Sequence, residues 1–148
     1  MKELYTEIQI NAPVSEVWTA LTNFGEYENW NPFIIKAQGE LKPDAIVQII
    51  IRPPGKKTQK CRITLLKVAP EKELRWLGHF FSIPGLIDGE HIFAIETNSD
   101  GSVRLIHREY FRGLLVPFVW NTFLNTYLRD GFEALNMSLK TLLEGKHK

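Results

Sequence analysis

Apolar and polar residues alternate at the start of the chain, where Leu4, Thr6, Ile8 and Ile10 interleave with Tyr5, Glu7 and Gln9. This period of two predicts a half-buried strand, ended by Asn11-Ala12-Pro13. The period then lengthens. Val17, Trp18 and Leu21 form one apolar face of a short helix running to Thr22, with Ser15 as its expected N-cap. Asn23-Phe24-Gly25 stops it. A second helical turn is expected over Tyr27 to Trp30, before Asn31-Pro32, because proline disfavours helix in the residue preceding it.

Strand patterns follow over Ile34 to Leu41, Ala45 to Arg52, Thr58 to Val68, Glu73 to Phe80, Asp88 to Thr97 and Ser102 to Arg112, punctuated by Pro, Gly, Asp or Asn. The connectors are too short for parallel crossovers, so the strands are expected to pair antiparallel. The last segment, from about Pro117 to Leu143, reads as one long helix of roughly 40 Å. The fold class is therefore α+β: a seven-stranded curved antiparallel sheet around a long C-terminal helix, with two short helices after the first strand.

Projected at about 100° per residue, the long helix has a broad apolar arc, as expected where a curved sheet embraces it. Leu128, Leu135, Leu139 and Leu142 make one side of the arc; Trp120, Phe123 and Tyr127 make an aromatic side near its N-terminus. Gly131, Ala134 and Ser138 lie nearby, and such small residues either leave room against the sheet or admit close backbone packing. In the last strand Arg104, Arg108 and Arg112 share a face with Ile106 and Tyr110, so Leu105, His107, Glu109 and Phe111 point inward. A hairpin turning at Asp100-Gly101, with residues 95 and 105 opposed, sets Phe93 opposite His107 and His91 opposite Glu109. With Trp76, the inner surface combines aromatic walls and a few polar groups, the usual make-up of a ligand pocket.

Composition narrows the reading. At 148 residues, 44% hydrophobic and 24% charged, the chain suits one globular domain over residues 1–148, and a net charge of +1 gives no reason to expect nucleic acid. The single cysteine, Cys61, excludes an internal disulfide framework or a Cys-rich zinc site. The start lacks a signal-peptide pattern and no apolar run approaches the roughly 20 residues of a membrane span, so a cytoplasmic protein without stable membrane insertion is expected.

The order of elements, together with INAPVSEVWTALTNFGEYENWNPF, KVAPEKELRW and HREYFRG, resembles the START-like or Bet v 1-like helix-grip superfamily, which includes polyketide cyclase-type domains. The resemblance spans nearly the whole chain. It implies a cavity between sheet and helix that holds a small hydrophobic ligand, lipid-like or aromatic. Relatives include binding proteins, enzymes and co-chaperone modules, and the resemblance carries no catalytic set across.

The candidate ligand-binding residues are Trp30 and Phe33 after the short helices, Trp76, His91 and Phe93 on the middle strands, His107, Glu109 and Phe111 on the last strand, and Phe123 and Tyr127 on the helix. For Trp30 and its neighbours the alternative is a structural plug; for Trp76 and Phe93 it is ordinary core packing. Glu109 could orient an imidazole as acid, base or hydrogen-bond partner, and structural hydrogen bonding is the competing role. No cofactor or metal site is expected, since these groups lack a fourth ligand and a diagnostic spacing. The apolar stretches Phe80 to Ile87 and Gly113 to Trp120 are candidate cavity rims that gate ligand exchange or touch a membrane transiently, unless they pack under one another. Binding needs no chemistry; a cyclase, dehydratase or hydrolase would depend on the inward His and Glu; a protein-interaction module would need only an exposed apolar patch.

Overall fold

The computed structural model describes residues 1–147. β1 (Lys2–Ile10) is followed by α1 (Val14–Thr22), a 3-10 turn (Phe24–Glu26) and α2 (Tyr27–Trp30). Six strands come next: β2 (Ile34–Gln38), β3 (Ile46–Ile51), β4 (Gln59–Ala69), β5 (Glu73–His79), β6 (Asp88–Thr97) and β7 (Val103–Arg112). They form one seven-stranded antiparallel sheet in the order β1-β7-β6-β5-β4-β3-β2. The C-terminal helix crosses its concave face.

One expectation at a helix start is corrected. α1 begins at Pro13, whose extended backbone (φ −61°, ψ 147°) aims its carbonyl at the amides of Glu16 (3.0 Å) and Val17 (3.3 Å). Proline fixes φ for this role and has no N–H to leave unpaired, so Ser15 falls inside the first turn and caps nothing. The C-terminal helix is not uniform. It is α-helical over α3 (Val116–Val119), π-wound over Trp120–Leu128, and α-helical again over α4 (Arg129–Gly145). A ring closed five residues back takes more residues per turn, so a fixed 100° projection drifts out of phase there. Leu124, Leu128 and Phe132 are buried in sequence steps of four, whereas Phe123 and Tyr127 are only half-buried.

α4 also covers the exposed edge of the sheet. Arg129 Nη1 donates to the Tyr5 carbonyl (3.0 Å), Lys140 Nζ donates to the Gln9 carbonyl (2.8 Å), and the Glu144 carboxylate accepts from the Asn11 amide (2.9 Å). These backbone groups lie on the side of β1 that no strand pairs, so the helix satisfies them and closes a surface on which a foreign strand could add. The core lies between helix and sheet, where Leu4, Leu65, Leu74, Leu105, Leu135 and Leu139 are fully buried.

Candidate functional site

The β6–β7 hairpin has the expected register: Ile95 faces Leu105, Phe93 faces His107 and His91 faces Glu109. All four of the last residues point inward and are buried. Trp76, on the neighbouring β5, pairs with His91 and stacks on its ring at 4.1 Å with 5° between planes. On the far side His107 stacks on Phe132 of α4 at 3.9 Å and 7°. The two imidazoles meet through Nε2 atoms 2.8 Å apart.

The proton positions in this chain follow from its end groups. The Thr6 hydroxyl lies 2.7 Å from the His107 carbonyl, which can only accept, so the one hydroxyl proton goes there. Thr6 Oγ1 must then accept from Asn136 Nδ2 (2.9 Å), which turns Asn136 Oδ1 toward His107 Nδ1 (2.8 Å). His107 therefore carries its proton on Nδ1 and accepts at Nε2. His91 must donate from Nε2, leaving its Nδ1 as a bare lone pair, and that buried atom has no partner in the protein. Burial holds both rings neutral: it lowers His107 from 6.5 to about 3, and burial and the neighbouring His107 lower His91 well below 6.5.

Beside His91 the sheet has a notch. Gly78 on β5 and Gly89 on β6 are direct cross-strand partners, in line with Trp76 and His91 on the inward face. Two inward side chains are thus missing at adjacent points, and the Glu109 carboxyl occupies part of the gap. A Cβ on Gly89 would lie 1.9 Å from Glu109 Oε2, so only glycine admits the carboxyl there. The rest of the gap is a cavity of about 40 Å³, walled by Trp76, His91, Glu109, Cys61, Phe33 and Leu128 among others, with Phe80 and His79 toward the rim. That volume admits water but not a ring-sized ligand without movement of its walls.

Burial raises the Glu109 carboxyl to about 8, so it holds its proton at neutral pH. Burial, with the Glu109 charge behind it, pushes the Cys61 thiol up to about 11; it stays a thiol and is no nucleophile. The site therefore offers one neutral acid, one bare imidazole acceptor and aromatic walls. Among the described residues no cluster of three or more His, Cys, Asp or Glu is placed to hold a metal ion.

Residues 1–144 match the family model described as polyketide cyclase / dehydrase and lipid transport. The chain belongs to this family. No curated protein matches the sequence. Among solved structures, this polyketide cyclase/dehydrase family member is similar to the di-domain ARO/CYC StfQ of the steffimycin biosynthetic pathway, with a TM-score of 0.76 and 12% identity over 98% of this chain and 52% of that one. The chain thus spans about half the length of that protein. It is also similar to a START superfamily protein from Mycobacterium smegmatis (TM-score 0.74, 15% identity, 97% of this chain and 98% of that one). A third is a Thalictrum norcoclaurine synthase mutant bound to a transition-state analogue (TM-score 0.73, 11% identity, 99% and 96%). At such identities the likeness shows the helix-grip fold alone.

Within this family member, the structure gathers Phe33, Trp76, His91 and Glu109 around the cavity. Phe93 and His107 pack behind them, Phe93 at 4.6 Å from the His91 ring centroid, and Phe111 lies against Phe80 at 6.4 Å. Three candidates lie elsewhere. Trp30 borders open surface depressions beside Leu142. Tyr127 lies under the Lys56 ammonium at 4.1 Å, and Phe123 lies beside Tyr127 at 6.4 Å. The small residues of the helix do not leave space: Gly131 sits so close to the Phe33 ring that a Cβ would come within 2.3 Å, and Ser138 donates to the Trp30 carbonyl. Sequence reasoning missed Gly89, whose sign was a second glycine at an inward position next to Gly78.

The rim is built from the two apolar stretches. The Leu114 and Leu115 amides donate to the Gly85 and Leu86 carbonyls (2.9 and 3.0 Å), joining the segment after β7 to the loop between β5 and β6. Phe81 and Ser82 in that loop hold positive φ (63° and 57°), a conformation unfavourable for both, and Phe81, Ile83, Leu114 and Phe118 are exposed. No helix among the described residues is long and apolar enough to cross a membrane.

Proposed function

We propose that the protein binds a small, largely apolar ligand between the sheet and the C-terminal helix, seated over the Gly78/Gly89 notch against Trp76 and Phe33. The observation that carries this reading is the notch itself: two facing glycines open the inner sheet beside a buried carboxyl, that of Glu109, and an imidazole, that of His91, which keeps one nitrogen unpartnered. Buried polar atoms without partners are uncommon in settled cores and common where a ligand completes the set. Access is through the rim loop over residues 80–87, whose Phe80 borders the cavity and whose backbone is strained. Uptake requires that loop to swing outward.

Native mass spectrometry of gently purified protein, followed by denaturing extraction, tests the reading. A stoichiometric hydrophobic adduct is expected. A clean apo mass that stays unshifted against a panel of lipids and small aromatics would overturn it.

One observation favours a second role. Glu109 holds a proton at neutral pH directly across the hairpin from His91, whose Nδ1 can accept one, the pairing of groups required for general acid–base work on a bound carbonyl compound. In that case Glu109→Gln would keep ligand binding and abolish turnover.

A further inference from the structure

We infer that one end of the sheet is a docking surface for an anionic bilayer, with the β3–β4 hairpin supplying the charge and two neighbouring segments supplying apolar anchors. The inference does not depend on what the cavity holds. Between Asp44 and Glu71 the chain carries six cations, Arg52, Lys56, Lys57, Lys60, Arg62 and Lys67, and no acid. The fold gathers four of them around one turn. β3 and β4 pair as far as Ile51 opposite Gln59, and Pro53-Pro54-Gly55 reverses the chain beyond that pair. Gly55 holds φ 76°, and the Lys56 amide donates to the Pro53 carbonyl (2.9 Å), which closes the turn. Arg52, Lys56, Lys57 and Lys60 are exposed around it, and none has a carboxylate partner among the described residues.

Because the sheet is antiparallel, this turn shares its end with the start of β1, the loop between β5 and β6, and the segment after β7. Side chains join these pieces. Lys56 Nζ lies over the Tyr127 ring (4.1 Å), Ser82 borders the same surface depression as Lys60 and Arg62, and Lys2 Nζ lies over Trp120 (5.9 Å). Beside the cations, four large apolar side chains face solvent: Phe81 is 69% exposed, Ile83 51%, Leu114 72% and Phe118 75%. The carboxylates of these strand ends are already engaged, Glu3 with Arg108 (3.7 Å) and Asp88 with His79 Nδ1 (2.6 Å) and the Gly85 amide (3.1 Å). Projecting apolar groups next to unpaired cations match a lipid interface, where the former enter the acyl boundary and the latter meet headgroup charge. A second copy of the chain fits this end poorly, since a two-fold contact would set the same cations against themselves.

Co-sedimentation of the intact protein with vesicles tests this, using phosphatidylcholine alone and phosphatidylcholine mixed with phosphatidylglycerol. Binding to the mixed vesicles should be at least about tenfold tighter, and should weaken as salt rises from about 0.1 M to 1 M, which shortens the screening length from about 10 Å to 3 Å. The double variant Lys56→Gln, Lys57→Gln should weaken it roughly thirtyfold. Removing the same charge at the opposite end of the sheet, in Lys42→Gln, Lys72→Gln, should change it less than about threefold. Leu114→Ser, Phe118→Ser should weaken binding to both kinds of vesicle and keep the salt dependence. Equal losses in the two lysine pairs would reduce the attraction to net charge and overturn the assigned surface. Failure of the parent protein to bind mixed vesicles would overturn it outright. A self-associated parent that binds no vesicles, and that Leu114→Ser, Phe118→Ser turns monomeric, would assign the apolar patch to a contact between copies and likewise overturn it.

Discussion

The inner face of this sheet holds two groups of buried polar side chains a few ångströms apart, and they are built on opposite principles. Thr6, His107 and Asn136 form a closed set across β1, β7 and α4 in which each side-chain polar atom has a partner. His91 and Glu109, one pair along the same hairpin, form an open set: His91 keeps an unpartnered nitrogen and Glu109 faces a cavity. Both sets are desolvated, so burial alone does not separate them. Satisfaction does. The closed set locks the helix onto the sheet and fixes a tautomer; the open set is left waiting for a partner from outside the chain.

If that division is correct, the closed set should be the less tolerant of change. Asn136→Leu removes the acceptor of a buried N–H and the donor to Thr6 together, and should lower stability by about 3 kcal/mol in urea denaturation. A loss below about 1 kcal/mol would show that the relay is dispensable and would undermine the tautomer argument.

The pH dependence separates the two imidazoles from the carboxyl by sign. Both imidazoles have lowered folded values, so below 6.5 the unfolded chain takes up protons that the folded one refuses, and stability climbs with pH up to 6.5. Glu109 acts the other way: unfolded it ionises at its usual 4.5, folded at about 8, so across that window stability falls as pH rises. Below 6.5 the two imidazoles outweigh the one carboxyl; above it the carboxyl acts alone. Stability should peak near pH 6.5 and drop by about 2 kcal/mol at pH 8, from about 1.4 kcal/mol per pH unit per proton. Glu109→Gln should remove the alkaline decline and keep the acid one. An unchanged alkaline limb in that variant would place its cause elsewhere.

Much of this was legible in the sequence, for identifiable reasons. Period-two alternation and short polar connectors fixed seven antiparallel strands, and the inward face of β7 followed from its three arginines at every fourth position. That face and one turn were enough to pair His91 with Glu109. The helix was legible as an element but not in its winding, because the residues of Trp120–Leu128 carry no proline or glycine to mark a change of pitch. Phe123 and Tyr127 were misplaced by that drift, and Trp30 by the path of the chain after α2. The direction of the Asn136 amide could not be read at all, since it depends on Thr6, 130 residues away in the chain.

The smallest expected effect on stability is the sharpest test of the open set. Gly89 is a poor place to fill the notch, since a methyl there collides with the Glu109 carboxyl. Gly78 is better: it does not hold a positive φ, and an added Cβ meets only the Ile63 Cγ2 methyl, at 3.2 Å. The neighbour must yield by a few tenths of an ångström. Against that strain, alanine restricts the unfolded chain and favours the folded state by about 0.4 to 1 kcal/mol, so Gly78→Ala should leave stability within about 1 kcal/mol of the parent. Its methyl enters the 40 Å³ space itself and takes room at the notch where the ligand would be seated. Ligand adducts seen by native mass spectrometry should therefore disappear from a protein that is otherwise folded and keeps its pH profile. Adducts that persist in Gly78→Ala would place the ligand away from the notch, and the unpaired nitrogen of His91 would then need another explanation.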